Sequence, residues 1–215
     1  FNGAPATLCS AIDALGLAPG KRVLHIGTGA GYYTAVMAHV VGPTGRMLGI
    51  EVDDTLAARA SANLASMPWA SVRHGDGHEP LDGAYDAILV NAGITHPEAA
   101  WLDALAPAGR MNVSLTVSLD LPGIAHPAGP AMANIGKGFM ILLERGDEAE
   151  ALNARLVTMV AIYSAVGLRD AEVNAALGAA FSSAPFPMLK RFRRDVHAPD
   201  ATCWCHTRRG CWSLA

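Results

Sequence analysis

The chain has 215 residues, 51% hydrophobic and 16% charged, with a mean hydropathy of +0.25; this composition excludes disorder and fits one sizeable core. A net charge of −3 and a pI near 6.2 exclude any general pull toward nucleic acid, and no apolar run approaches the roughly 18–20 residues that span a bilayer. No charged-plus-apolar leader opens the chain at Phe1, and four unevenly spaced cysteines make no secreted disulfide framework, so a cytoplasmic protein with no membrane partner is expected.

Residues 1–7 read as an irregular entry, with Asn2-Gly3 and Pro5 as turn formers. Leu8, Ile12 and Leu15 predict a helix over 8–15, ended by Gly16 and Pro19-Gly20. The apolar run 23–26 predicts a buried parallel strand, and a helix follows over 32–41, closed by Gly42-Pro43. A second strand is expected over 46–51. Asp53 or Asp54 then caps a helix over 55–65, with Leu56, Ala60 and Leu64 facing the core. Strands over 71–74, 86–91 and 110–115 and a helix over 99–105 complete an alternation that demands a parallel sheet with helices on both faces.

Beyond Ser118 the pattern changes. Three prolines and three glycines over 120–136 predict a loop or lid. Strands are expected over 138–145, 157–163 and 190–194, a helix over 173–180, and a hairpin over 202–214 turned near 207–210. The expected organisation is one domain over 1–215: a cofactor-binding core over 1–118, with the lid loop and C-terminal strands over 119–215.

The chemistry centres on Gly27-Thr28-Gly29-Ala30-Gly31, between the first strand and the helix that starts at Tyr32. A strand, a glycine turn and a helix N-terminus make a backbone cradle for an adenosine-bearing cofactor. Alone, the turn fits a dinucleotide, S-adenosylmethionine or nothing. Glu51 ends the second strand and can accept hydrogen bonds from a ribose diol of either cofactor. Three features favour S-adenosylmethionine over NAD. The spacing is G-x-G-x-G, not G-x-G-x-x-G; Gly75-Asp76-Gly77 offers an acid for an adenine amino group; Asn91-Ala92-Gly93 makes a small-residue floor at the carboxyl edge of the sheet. No arginine or lysine stands between Leu24 and Val41, as befits a cofactor without a pyrophosphate.

Together with Tyr85-Asp86-Ala87-Ile88 and Leu105-Ala106-Pro107-Ala108-Gly109-Arg110, these motifs resemble the class I S-adenosylmethionine-dependent methyltransferases. More narrowly, they resemble the protein-L-isoaspartate O-methyltransferase family over residues 3–116. The resemblance implies a Rossmann-like, doubly wound, mostly parallel seven-stranded sheet flanked by helices. It implies carboxyl O-methylation of a peptide or protein, of the isoaspartyl, protein-repair type. By position, Gly27, Thr28, Gly29, Gly31, Glu51, Asp76 and Gly77 would line the cofactor, and His25, Tyr32, Val52, Gly75, Asn91 and Ala92 complete the expected lining. Two positions depart from the family pattern. His25 stands where such enzymes usually carry an acid, and Gly3 stands where the isoaspartate enzymes carry the serine of a Ser-x-Pro segment that helps hold the substrate carboxylate.

A carboxylate nucleophile needs positioning and exclusion of water, not a general base. The substrate-side candidates are Asn2, Thr7, Asn91, Thr95 and His96, with His96 as a donor to the acceptor carboxylate; the plainer reading has Thr95 capping the next helix and His96 solvated. Alternatives to a protein substrate are a small-molecule carboxylate, or a cofactor-binding subunit without turnover; an NAD-dependent oxidoreductase is disfavoured by the glycine spacing. A homo-oligomer is compatible with the sequence.

Cys203, Cys205, His206 and Cys211 raise the question of zinc. Strand alternation puts Cys203 and Cys205 on one face and His206 on the other. A two-residue turn at Arg208-Arg209 sets Cys211 opposite His206, on the wrong face to join the other cysteines, whereas a three-residue turn would reverse this. No metal is expected, and the cysteines read as small buried apolar residues. Lys190, Arg191, Arg193, Arg194, Arg208 and Arg209 form the main basic concentration, either a solvated face that guards a sheet edge or a seat for an anionic substrate. No aromatic interleaving supports a nucleic-acid partner.

Overall fold

A computed structural model describes residues 4–118, 135–148, 150–184 and 186–215. The elements in chain order are α1 (Pro5–Ala14), β1 (Arg22–Ile26), α2 (Tyr32–Val41), β2 (Arg46–Glu51), α3 (Asp54–Asn63), β3 (Ala70–His74), β4 (Tyr85–Ile94), α4 (Ala99–Asp103), β5 (Leu105–Ser118), β6 (Ile135–Arg145), β7 (Ala151–Tyr163), α5 (Ala171–Ser183), β8 (Arg191–Arg193), β9 (Cys203–Thr207) and β10 (Gly210–Ser213). The strands form one sheet in the order β3-β2-β1-β4-β5-β6-β7-β8-β10-β9.

The seven-stranded, mostly parallel sheet implied by the resemblance is corrected here. The sheet has 10 strands. Pairing is parallel from β3 to β5 and antiparallel at every step from β5 to β9. At the β6–β7 step the reason is connection length. A parallel return needs a crossover of about a dozen residues or more, whereas residues 146–150 between β6 and β7 allow only a hairpin.

Alternation along β1 divides the core. Val23 packs under α1 and α2 with Ile12, Met37 and Val41. Leu24 and Ile26 point to the other face, with Trp101 of α4 and Leu177 of α5. Helices thus cover both faces, as the sequence pattern requires. α1 begins earlier than expected because Pro5 opens the helix instead of turning the chain; its missing N–H and fixed φ suit the first helical position. Asp53 caps α3 by accepting from Leu56 N at 2.8 Å; Ala60 and Leu64 are buried as expected, but Leu56 lies at the surface and Ala57 is buried in its place. The loop expected over 120–136 lies outside the described residues, except for Ile135 and Gly136, which begin β6.

The C-terminal hairpin turns at Arg208-Arg209, so Cys211 does pair with His206. The expected face of Cys203, however, is wrong. The register slips one residue on the β9 side between the pairs Trp212↔Cys205 and Ser213↔Cys203, leaving Trp204 as the extra residue of a β-bulge. Trp204 and Cys205 both join the core shared with α5, where Trp204 Nε1 donates to Ala184 O at 3.1 Å and its ring meets Phe181 edge-on. Cys203 is thereby turned to the side of His206 and Cys211.

Candidate active site

The three glycines after β1 all have positive φ: 77° at Gly27, 57° at Gly29 and 87° at Gly31, a region that side chains disfavour. Each also answers to its surroundings. A Cβ on Gly27 would stand 3.0 Å from Asn91 O, and one on Gly31 would stand 3.1 Å from the Ala60 methyl. A Cβ on Gly29 would meet nothing within 4 Å, so this position opens onto free space. Gly31 also ends the turn as the N-cap of α2 without any side-chain cap, which leaves first-turn N–H groups available to a ligand.

Glu51 holds the turn from behind. The residue is 7% exposed; Oε2 accepts from Gly29 N at 2.6 Å and Oε1 from Asp53 N at 3.2 Å. A carboxylate offers about four acceptor directions, so room remains for a ligand hydroxyl. Gly75 N donates to Glu51 O at 3.0 Å, which brings the Gly75-Asp76-Gly77 loop alongside. Burial alone would raise the Asp76 carboxyl, but the His78 backbone N–H at 3.0 Å and imidazole at 2.7 Å outweigh it and hold Asp76 below the usual carboxylate range. Gly77 O accepts from the indole N–H of the fully buried Trp101 at 2.7 Å. Asn91 and Ala92 interrupt the β4–β5 register between Val90 and Gly93, and Asn91 Nδ2 reaches back toward Gly27 O at 3.4 Å. Tyr32 and Val52 are exposed apolar side chains at the rim, whereas Thr28 is not. Its hydroxyl turns inward to Ile50 O at 3.0 Å, so Thr28 offers a ligand only its backbone.

His25 is fully buried on the α2 side of β1, with Nδ1 2.9 Å from Thr34 Oγ1. Burial lowers its pKa to about 3, so it is neutral and supplies neither charge in place of the expected acid. Its Nε2 has no hydrogen-bond partner among the described residues.

On the substrate side, Asn2 lies outside the described residues and Thr7 sits half-buried on α1. Thr95 and His96 are both buried, so His96 is not solvated. Thr95 does not cap α4, whose N-cap is Glu98; its Oγ1 instead accepts from Asp170 N at 3.1 Å, donates toward Leu168 O at 3.4 Å and lies 2.9 Å from His96 Nδ1. His96 Nε2 lies 3.1 Å from Glu98 Oε1, within ion-pair reach but without good hydrogen-bond alignment. Burial lowers the pKa of His96, with Glu98 pulling it the other way.

Sequence reading missed two supports of this site. Trp101 anchors the Gly77 carbonyl, and a polar chain runs from Asp76 through His78 and Glu98 (3.8 Å) to His96. His78, two residues past Asp76, was a local signal; nothing near Glu98 marked it. The arginines expected to form a basic face are largely neutralised. Arg191 pairs with Glu148, Arg193 with Asp195 and Asp200, Arg194 with Asp103, Arg208 with Asp170 and Glu172, and Arg209 lies 3.8 Å from Asp170. No helix among the described residues is long and apolar enough to cross a membrane.

A glycine cradle, an acid closing the second strand and an acidic glycine loop after the third, at the carboxyl edge of parallel strands, define a Rossmann-like methyltransferase fold. A solved protein-L-isoaspartate O-methyltransferase shares it, with a TM-score of 0.60 and 24% identity, over 83% of this chain and 51% of that one. So does a structure of a putative protein-L-isoaspartate O-methyltransferase from Plasmodium falciparum in complex with S-adenosyl-L-homocysteine, with a TM-score of 0.53 and 18% identity, over 74% and 71% of the two chains.

The model of the protein-L-isoaspartate(D-aspartate) O-methyltransferase family matches residues 2–119, and the chain belongs to that family. Among its relatives, the protein-L-isoaspartate O-methyltransferase of Methanopyrus kandleri is 36% identical over 115 residues, 51% of either chain. That of Methylorubrum extorquens is 35% identical over 171 residues, 77% of this chain and 66% of the relative. The chain thus spans about half the length of the former and two thirds of the latter.

Proposed function

We propose that this chain is an S-adenosylmethionine-dependent O-methyltransferase that esterifies the carboxylate of an isoaspartyl residue in a peptide or protein. The observation that carries this reading is the cradle. Three positive-φ glycines are pinned by the Glu51 carboxylate, and the middle one opens onto free space. Membership of the family supports the same reading.

The donor set suits this cofactor. Glu51 has acceptor capacity left for a ribose diol, Asp76 is held ionised by His78 as an acceptor for an adenine amino group, and the uncapped start of α2 offers N–H groups to a carboxylate. Gly27, Gly75, Gly77, Asn91 and Ala92 bring backbone close to the ligand, and Tyr32 and Val52 supply apolar rim. Bound there, S-adenosylmethionine would supply a methyl group on a cationic sulfur, which a carboxylate takes by in-line displacement with no general base. The task of the protein side chains is therefore to orient the acceptor and exclude water. Thr95, whose hydroxyl is already engaged by the chain, and His96, whose Nδ1 meets that hydroxyl, support a positioning role beneath the site, and Thr7 on α1 is the described candidate for holding the substrate carboxylate.

Calorimetric titration with S-adenosylhomocysteine tests the cradle, and absence of binding overturns the proposal. Radiolabelled methyl transfer to an isoaspartyl peptide, followed by base-labile methanol release, tests the reaction. Transfer only to small carboxylic acids would shift the substrate class. Binding with no transfer to any carboxylate would mark a cofactor-binding subunit, the reading to which Gly3 in place of the family serine lends support.

A further inference from the structure

The bulge at Trp204 gathers four side chains that the cradle does not use. His197, Cys203, His206 and Cys211 each offer one ligand atom, and these atoms all lie within 4.8 Å of one another. Cys203 Sγ is 3.6 Å from His197 Nε2 and 4.0 Å from His206 Nδ1. A tetrahedral zinc with bonds of about 2.3 Å to sulfur and about 2.0 Å to nitrogen separates its ligand atoms by about 3.3–3.8 Å. The two Cys203 contacts are therefore within about half an ångström of such separations, and the cluster as a whole would draw in by about 1 Å to close on the ion.

Its surroundings have the form of a built site. His197 presents Nε2 to Cys203 because its other ring nitrogen is taken, lying 3.1 Å from Asp195 Oδ2 and 3.0 Å from Asp195 O. A carboxylate on the far nitrogen of a ligating histidine fixes its tautomer and orientation. Arg193 in turn holds that carboxylate through Nε and Nη2, at 3.1 and 2.9 Å. On the sulfur side, Asp200 N donates to Cys203 Sγ at 3.4 Å, and Asp200 Oδ1 lies 3.6 Å from the same sulfur. The His197 and His206 rings meet edge to face, with centroids 4.7 Å apart.

We propose that His197, Cys203, His206 and Cys211 form a structural Cys2His2 site for a divalent zinc ion. Two thiolates and two imidazoles suit zinc in donor type, and four protein ligands close the coordination sphere, which marks a structural ion rather than a catalytic one. Binding displaces the two thiol protons, and both sulfurs become thiolate ligands. The ion ties the segment after β8 to the β9–β10 hairpin, which ends the sheet on that side. This proposal is independent of the reading of the cradle.

The test uses the full chain, purified with reductant, freed of metal and then titrated with zinc or cobalt(II) while circular dichroism follows folding. About one equivalent of zinc should bind, and cobalt should give the strong visible bands and the near-ultraviolet thiolate charge-transfer band of a tetrahedral Cys2His2 centre. Cys203→Ser and His197→Asn should lose that spectrum. Cys205→Ser, on the opposite face, should keep it, as should Cys9→Ser if loss of the buried Cys205 disturbs folding. Asp195→Asn should weaken zinc binding by about 10- to 100-fold, rather than abolish it. The proposal is overturned if the folded wild-type chain binds well under one equivalent or gives cobalt only the faint spectrum of an octahedral ion. Equal loss in the Cys203 and Cys9 variants, or a Cys203–Cys211 disulfide found by mass spectrometry in the chain purified without reductant, would also overturn it.

Discussion

From β3 to β5 the strands run parallel, and every carboxyl end falls on the same edge of the sheet. Gly29, Glu51 and Asp76 follow or end three different strands and Asn91 interrupts the register of a fourth, yet they converge there. From β5 to β9 the strands alternate in direction, so no edge collects their ends. That half builds its polar cluster from residues 197–211 alone, one hairpin and the loop before it. The contrast shows two ways to assemble a site. A parallel sheet converges distant segments and depends on the whole core; an antiparallel hairpin gathers its groups from one short stretch, and a local shift of one residue in its register rearranges them.

Perturbations should separate the halves, the largest first. Trp101→Ala removes a fully buried indole and the anchor of Gly77 O; it should cost about 3–5 kcal/mol in urea unfolding and weaken S-adenosylhomocysteine binding in calorimetry. Zinc at about a hundredfold excess over its Kd should stabilise the wild-type chain by about 2.7 kcal/mol, and the Cys203→Ser chain by none; calorimetric melting with and without chelator reads this. Gly27→Ala forces a side chain onto positive φ and against Asn91 O. About 1–3 kcal/mol of stability should be lost, and S-adenosylhomocysteine affinity should fall at least about tenfold, with zinc stoichiometry unchanged.

His25 gives a pH signature belonging to the parallel half. Its folded pKa, lowered by burial to about 3, lies below the unfolded value of 6.5. Between those limits the unfolded chain binds the extra proton, so stability should fall as pH drops from about 6.5 to about 3, with a slope approaching 1.4 kcal/mol per unit. Denaturant titrations across that range should show this slope flattened in His25→Gln. Least affected of all should be Arg208→Ala. Its ion pairs to Asp170 and Glu172 are solvent-exposed on the Arg208 side, and melting should register no more than about 0.5 kcal/mol.

Much of the parallel half was legible because its signals are local. The glycine turn, the acid that ends β2 and the acidic loop after β3 each stand where backbone geometry needs them. The direction of the Thr28 hydroxyl was not legible, because a turn residue's neighbours in sequence do not tell which way it goes; Gly49, with no side chain, leaves the space it fills. His25 was legible as a buried histidine, but its partner Thr34 was not. The count of strands was available in the segments themselves; the resemblance drew it down to seven, although the family match covers only residues 2–119. The face of Cys203 could not be read at all. Alternation is the only rule the sequence offers, and the bulge is set by an indole held against Ala184 and Phe181, more than 20 positions earlier in the chain for the latter.

That bulge makes the C-terminal cluster a matter of parity. Deleting Trp204 would remove the bulge, and plain alternation back from His206 would then keep Cys203 on the His206 side; flattening the bulge with Trp204 in place would instead carry Cys203 to the Cys205 side. Among relatives of this chain, two residues between Cys203 and His206 together with a bulge, or one residue without it, should therefore foretell a closed metal site better than the presence of the cysteines and histidines themselves.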